Sequence, residues 1–543
     1  MQIGSRSTIP LATLACLLAT AFVMVPAWQL IGPGPFKWHI AQPAYWQGGL
    51  EGLVLVALTA SAFALSSRSA LLLATAALAL FLRRHAVDVP LLIDVLYLEI
   101  VVGTGMAVRR LCGAPGARET ADYLHAFVLG FVAWSMLAWT ASAFAFGSIR
   151  ELRALTLALG LVASFGRTPP LLVFLWRSLR TQPRAASAWS GALVAWMAVL
   201  YARTNVVFGY DSLWYGLRGE YVLDPGHSVF EPLGLVSPVH YFPKLHEVFL
   251  LPVSALGDSS VISGMSIWVL VLVLLACARI AARIGLDPAA RMPVLALVAT
   301  LPALTATAIE PKPDALALLF ALVAADAALA FTRTRSLSDL CWVVAGAALA
   351  CMAKLTAIPY VGMLALGCGW LAWRARPLAE GGNTTSDARF AAAGALVVTA
   401  FVTARTWLLT GMPTVGPDPL FRAWSALGLR LREPVGTLEW TSPQDWSTVP
   451  GLLVDWLFRP QTMPHIVIAW VGNVWFWFML LAAMGMLAGR RARHEGTAAW
   501  PLYALVGTGA ALALAIRYQV RGSDGNYFLA ALLPGLLLAA NAA

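Results

Sequence analysis

Val269-Leu270-Val271-Leu272-Val273-Leu274-Leu275-Ala276-Cys277-Ala278 completes an apolar run, residues 259–278, that contains no charged side chain. Twenty helical residues rise about 30 Å, the thickness of a bilayer's hydrocarbon core, so the run reads as a membrane span. Outward from it, comparable runs recur along the chain. Their approximate cores are 9–31, 48–66, 69–82, 89–108, 122–146, 152–176, 187–202, 292–309, 314–331, 339–353, 355–373, 390–410, 464–488, 498–516 and 526–541. The count is about sixteen spans.

Composition agrees. Of 543 residues, 59% are hydrophobic and 12% charged, and mean hydropathy is +0.74. A soluble chain carries about 25% charged residues, so a water-soluble globular fold is excluded. The expected fold is all-α, a polytopic transmembrane helical bundle. The net charge of +10 does not indicate nucleic acid, because the basic residues sit mostly in short loops between spans, as membrane anchors do. The six cysteines form no CxxC pair or disulfide framework. The run 9–31 is long for the apolar core of a secretory signal, so an uncleaved first helix is expected.

With a cytoplasmic N-terminus, alternate loops collect most of the arginines, among them Arg68, Arg109, Arg110, Arg177, Arg180, Arg279, Arg283 and Arg291, as the positive-inside rule requires. Arg83 and Arg84 are exceptions. The four lysines, Lys37, Lys244, Lys312 and Lys354, fall on the opposite face. So do the loop 203–258, the Glu310-Pro311-Lys312-Pro313-Asp314 turn, and the segments 411–463 and 517–524. Polar groups from distant parts of the chain are thereby expected at one membrane surface, which is how a bundle assembles a site.

The loop 203–258 holds the densest set of ionisable and aromatic residues, including Tyr210-Asp211, Trp214-Tyr215, Glu220, Glu231 and His240-Tyr241-Phe242-Pro243-Lys244-Leu245-His246-Glu247. Asp211, between aromatics at the outer end of a span, has the partly desolvated setting that makes a carboxylate a better base. A solvated helix cap is the competing explanation. Lys244, Lys312, Lys354, Arg517 and Arg521 are candidate phosphate ligands, against interfacial snorkelling or pairing with Glu310, Asp314 and Asp524. Pro311 and Pro313 break the helix around Lys312, and irregular backbone near membrane depth is tolerated chiefly where it lines a cavity. His227, His240 and His246 match no zinc spacing, so no metal ligands are assigned. Glu51, Asp94, Glu99 and Arg167 are intramembrane charges that are expected to pair with one another or to line a groove.

Asp-x-x-x-Tyr after a span (Asp211, Tyr215), Tyr-Phe-Pro-Lys (241–244), Lys-Pro-Asp (312–314) and Lys-Leu-Thr (354–356) together resemble the polytopic glycosyltransferases of the GT-C superfamily. That group includes the aminoarabinose transferases of lipid A and the protein O-mannosyltransferases. The likeness covers roughly 187–410, and more weakly Arg517-Tyr518 and Tyr527-Phe528-Leu529. It implies transfer of a sugar from a polyprenyl-phosphate donor to a glycan, lipid or protein acceptor at the extracytoplasmic face of a bacterial inner membrane. Asp211 would then be the base and Glu220 the second loop carboxylate, with Glu231 and Glu247 as rivals. Tyr215, Glu231, His240 and Asp314 would join the cations in binding substrate. Some branches of the superfamily use a divalent metal and others do not.

The resemblance divides the chain into helices 1–185 of open role, a catalytic membrane module 186–410, and an outer loop with C-terminal helices 411–543. The segment 1–185 departs from the superfamily, whose members usually begin the core at their first span. Two other readings stand beside it. One is an O-antigen ligase or polymerase acting on lipid-linked glycans, and the other a lipid or solute transporter, for which internal repeats and midplane charges are expected.

Overall fold

The computed structural model describes residues 41–113, 119–164, 170–206, 227–231, 238–374, 385–416, 418–432, 447, 499–520 and 525–542. They contain helices and no strand, and the protein is an all-α multi-pass bundle. In chain order the helices are α1 Pro43–Leu65, α2 Arg68–Arg84, α3 Asp88–Leu111, α4 Thr120–Ala143, α5 Ile149–Ser164, α6 Leu171–Arg180, α7 Arg184–Ala202 and α8 Leu245–Leu250. There follow α9 Ser259–Arg283, α10 Pro288–Ala299, α11 Pro302–Ala308, α12 Asp314–Thr334, α13 Leu337–Ala353, α14 Ile358–Arg374, α15 Thr385–Thr410, α16 Asp418–Ala426, α17 Trp500–Val520 and α18 Leu529–Ala542.

Seven stretches among the described residues are helical, long and apolar enough to cross a membrane: α1, α3, α4, α9, α12, 355–374 and 386–410. Helix α12 is the hub. It is buried on nearly every side and packs against α9, α13, α14, α17 and α18. Helices α1 and α14 lie at the edge and expose Leu50, Leu53, Leu366, Trp370 and Trp373. An apolar surface of this extent suits lipid rather than water.

Two expected single spans are each a pair of helices. The run 152–176 divides into α5 and α6, because Pro169-Pro170 cannot continue a helix. The amide groups freed at the start of α6 find Glu99 of α3, whose carboxylate accepts from Leu171 N at 3.0 Å and Leu172 N at 2.9 Å. The run 292–309 divides at Pro302 into α10 and α11. The split at Lys354 is present. Lys354 is extended (φ −154°, ψ 126°) after the last residue of α13, and a 3₁₀ turn, Leu355–Ala357, leads into α14.

The three intramembrane acids, Glu51, Asp94 and Glu99, each have a partner nearby. Glu99 caps α6, Asp94 accepts a short hydrogen bond from Tyr201 of α7, and Glu51 faces Arg84 at 3.4 Å and His85 at 3.7 Å. Arg83, out of place by the positive-inside rule, is bound to Asp88 at 2.9 Å. Arg167 lies outside the described residues.

Helices α3 and α4 touch backbone to backbone. A Cβ on Gly105 would collide with the Ala126 carbonyl, and one on Gly130 with the Val101 carbonyl. Gly130→Ala is therefore expected to push the two helices apart and destabilise the fold by about 1–3 kcal/mol. Gly48→Ala, where nothing lies within 4 Å, should leave the thermal unfolding midpoint in detergent unchanged.

Candidate functional site: a buried charge cluster at one end of the bundle

After the 3₁₀ turn Pro238–Tyr241, the chain enters the bundle through Pro243 and forms α8, all six residues of which are buried. Phe249 anchors it, with ring centroids 4.8 Å from Phe131, 5.1 Å from Tyr97 and 5.5 Å from Trp134. The Tyr97 hydroxyl donates to the Phe249 carbonyl at 2.6 Å. The exit is held as firmly, since Arg153 of α5 donates to the carbonyls of Pro252 (2.9 Å) and Ser254 (2.7 Å). Short irregular backbone is stable at such depth because protein surrounds it and satisfies its polar atoms.

This anchoring carries Lys244, His246 and Glu247 inside. Lys244 Nζ donates to Glu247 Oε1 at 2.9 Å, and both residues are buried. Burial opposes ionisation of Glu247, but the charges of Lys244 and His246 and the Lys244 hydrogen bond outweigh it and hold the carboxyl below the usual carboxylate range. Burial also pushes His246 below the ordinary imidazole value, against the opposing pull of Glu247 and Asp314. Charges on α8 and on the first turn of α12 thus reach one imidazole.

Asp314 opens α12, where the helix dipole favours a carboxylate, and it is ion-paired to Lys354 at the α13–α14 break. The Lys354 ammonium also sits 4.8 Å from the ring centroid of Tyr527, in the 3₁₀ turn Gly525–Phe528. Tyr360 of α14 donates to the Tyr527 carbonyl at 2.8 Å. Asp314, Lys354, Tyr360, Asn526 and Tyr527 line a cavity of about 30 Å³, room for one water molecule. Lys312 is buried with its ammonium 3.5 Å from Glu310, and the Glu310 carbonyl accepts from Ser266 of α9 at 2.8 Å.

Lys244, Lys312, Asp314 and Lys354, all singled out from sequence, are therefore buried or half-buried, and Asp314 and Lys354 are paired directly. His240 is buried in the turn before α8. Glu231 is exposed and accepts the His227 backbone N–H at 3.1 Å, so it closes a local turn. Arg517 falls on α17. Asp211, Tyr215, Glu220 and Arg521 lie outside the described residues. No group of three or more His, Cys, Asp or Glu side chains able to hold a metal occurs among the described residues.

Arg405 was missed. It interrupts the apolar stretch of α15, and an arginine inside a span is the readable signal for function or structure at depth. Its side chain is wholly buried, and Nε donates to the Val229 carbonyl at 2.7 Å, tying the segment 227–231 to α15. Nη1 and Nη2 have no hydrogen-bond partner among the described residues. Glu247 and Tyr241 act on it electrostatically. Asn526, buried with an unpartnered Oδ1, was also missed and had no distinguishing pattern.

Comparison with family models, curated proteins and solved structures finds no match.

Breaking a buried ion pair strands a charge. Glu247→Gln removes the carboxylate that faces both Lys244 and Arg405 and should cost about 3–5 kcal/mol. Lys244→Met leaves Arg405 facing Glu247 and should cost less; melting of the purified variants in detergent checks the order. A histidine held below its unfolded value binds fewer protons folded than unfolded. Its contribution is therefore complete above about pH 6.5 and is lost as pH falls from there toward the folded value. His246→Gln should flatten the decline in melting temperature between about pH 7 and pH 5.

Proposed function

We propose that the protein is a membrane glycosyltransferase that moves a sugar from a polyprenyl-phosphate donor to an acceptor hydroxyl at the extracytoplasmic face. The observation that supports it best is the buried, half-satisfied guanidinium of Arg405 within a cluster of basic and acidic groups. A buried donor without a partner costs about 1–3 kcal/mol, so its retention calls for an explanation. Two adjacent guanidinium N–H groups form a fork that matches two oxygens of a phosphate.

In this reading the Asp211 carboxylate takes the proton of the acceptor hydroxyl and the oxygen attacks the anomeric carbon. The bond from that carbon to the phosphate oxygen breaks, its electron pair leaves with polyprenyl phosphate, and the anomeric configuration inverts. Negative charge builds on the departing phosphate. Arg405 and the cations Lys244, Lys312 and Lys354 would stabilise that charge where water is scarce and each cation acts strongly. Asp314 and Glu247 keep two of these cations paired until an anion replaces them, which avoids leaving bare charges in the membrane.

The test is incubation of purified protein with a panel of polyprenyl-phosphate sugars, reading release of polyprenyl phosphate. Asp211→Asn is expected to slow transfer by about 10²–10⁴-fold at unchanged expression. Arg405→Lys, which keeps the charge but not the fork, should slow it by about 10²–10³-fold. Undiminished transfer in Asp211→Asn removes that residue as the base, and failure to consume any donor ends the proposal.

A further inference from the structure

The far end of the same bundle carries a second arrangement, independent of the charge cluster. Arg279 and Arg283 stand on the last two turns of α9, about 20–25 Å along the helix axis from Ser266, which contacts the Lys312 turn. Between α2, α6, α7, α9 and α10 lies an apolar cavity of about 450 Å³, walled by side chains such as Leu78, Leu82, Leu175, Met197 and Trp268. It leads into a polar vestibule of about 760 Å³ lined by Arg279, Arg283 and Arg291. The two spaces adjoin, and Phe174, Ser178, Gln182, Ala278, Met292 and Leu295 line both.

Three arginines and one carboxylate, Glu119, line the vestibule. Asp326 alone is ion-paired to both Arg279 and Arg283. Arg291 has one hydrogen bond, from Nε to the Leu286 carbonyl at 2.9 Å, and no carboxylate partner among the described residues. Glu119 lines the vestibule too, but its carboxylate caps the first turn of α4. Asp339, which also acts on Arg279 and Arg283, accepts a hydrogen bond from Thr334. The backbone carbonyl of Arg283 further draws in the Arg333 guanidinium at 3.1 Å.

An apolar limb of acyl-chain character opening onto three guanidiniums at a membrane face complements one class of molecule. We propose that this groove is a binding site for a single anionic phospholipid, its phosphate held by Arg279, Arg283 and Arg291 and one acyl chain lying in the apolar limb. Basic pockets between spans hold anionic headgroups in this way, and a volume of several hundred Å³ lies in the range of ligand sites. Zwitterionic lipid presents the same phosphate with its own cation, which the arginines repel. The site is filled from the membrane and stabilises α6 and α10 against α9, whatever reaction the opposite end performs.

The full-length protein in neutral detergent is to be titrated with phosphatidylglycerol, with phosphatidylcholine of the same chains, and with inorganic phosphate. Native mass spectrometry and the melting temperature are the readouts. Phosphatidylglycerol should be retained one to one and should raise the melting temperature, while the other two should not. Arg291→Gln, which touches no ion pair, should weaken retention roughly fivefold, and adding Arg283→Gln should weaken it by about the same factor again. Ala278→Phe, filling the neck with all arginines present, should also displace the lipid. Equal retention of phosphatidylcholine, a full melting shift from inorganic phosphate, or unchanged binding in Arg291→Gln and Ala278→Phe would overturn the proposal.

Discussion

The ion pair between Asp314 and Lys354 joins the first turn of α12, the most buried of the seven candidate spans, to the break between α13 and α14. The bundle is arranged around this constraint. A carboxylate at the start of α12 is favoured by the helix dipole, but at membrane depth it also needs a cation. Lys354 supplies it only because α13 stops at Ala353 and the next residue is extended. The 3₁₀ turn before α18 then closes over the ammonium with the Tyr527 ring, and Tyr360 fixes that turn by its carbonyl. Four elements distant in sequence thus meet through one charge pair.

The same rule, that a polar group inside the bundle must find a partner, explains the other irregularities. Glu99 receives the two free amides at the start of α6, just past Pro170. Arg153 receives the carbonyls released where α8 ends. Arg405 is among the departures from it, with Nε bonded to Val229 and both Nη atoms without a described partner.

Most of the fold could be read in the sequence because apolar runs of about twenty residues have few interpretations. The failures were at prolines within long runs, where hydropathy averages over a break that backbone geometry does not permit. Of the site, Lys244, Lys312, Asp314 and Lys354 were legible from charge standing beside apolar stretches. Pairing with Glu310 and Asp314, the alternative to phosphate binding, is present, at Lys312 and Lys354 respectively; which lysine meets which acid was not legible, since that depends on the way α12 and α13 pack. Arg405 carries a signal as strong as the loop charges, since it is a lone cation in an apolar helix. The intramembrane acids have partners that sequence spacing does not reveal: Tyr201 for Asp94, the α6 amides for Glu99, and Arg84 with His85 for Glu51.

Helix α6 is ten residues long, a rise of about 15 Å and half the depth of the hydrocarbon layer. Neither it nor the stretch of α5 before it reaches from one interface to the other as a single rod. Lipids beside α6 meet a helix shorter than the hydrocarbon layer, so the annulus there has to thin to match it. One side of the protein thereby imposes its own contour on the surrounding leaflet, whereas the unbroken α1 and α15 present ordinary full-height walls.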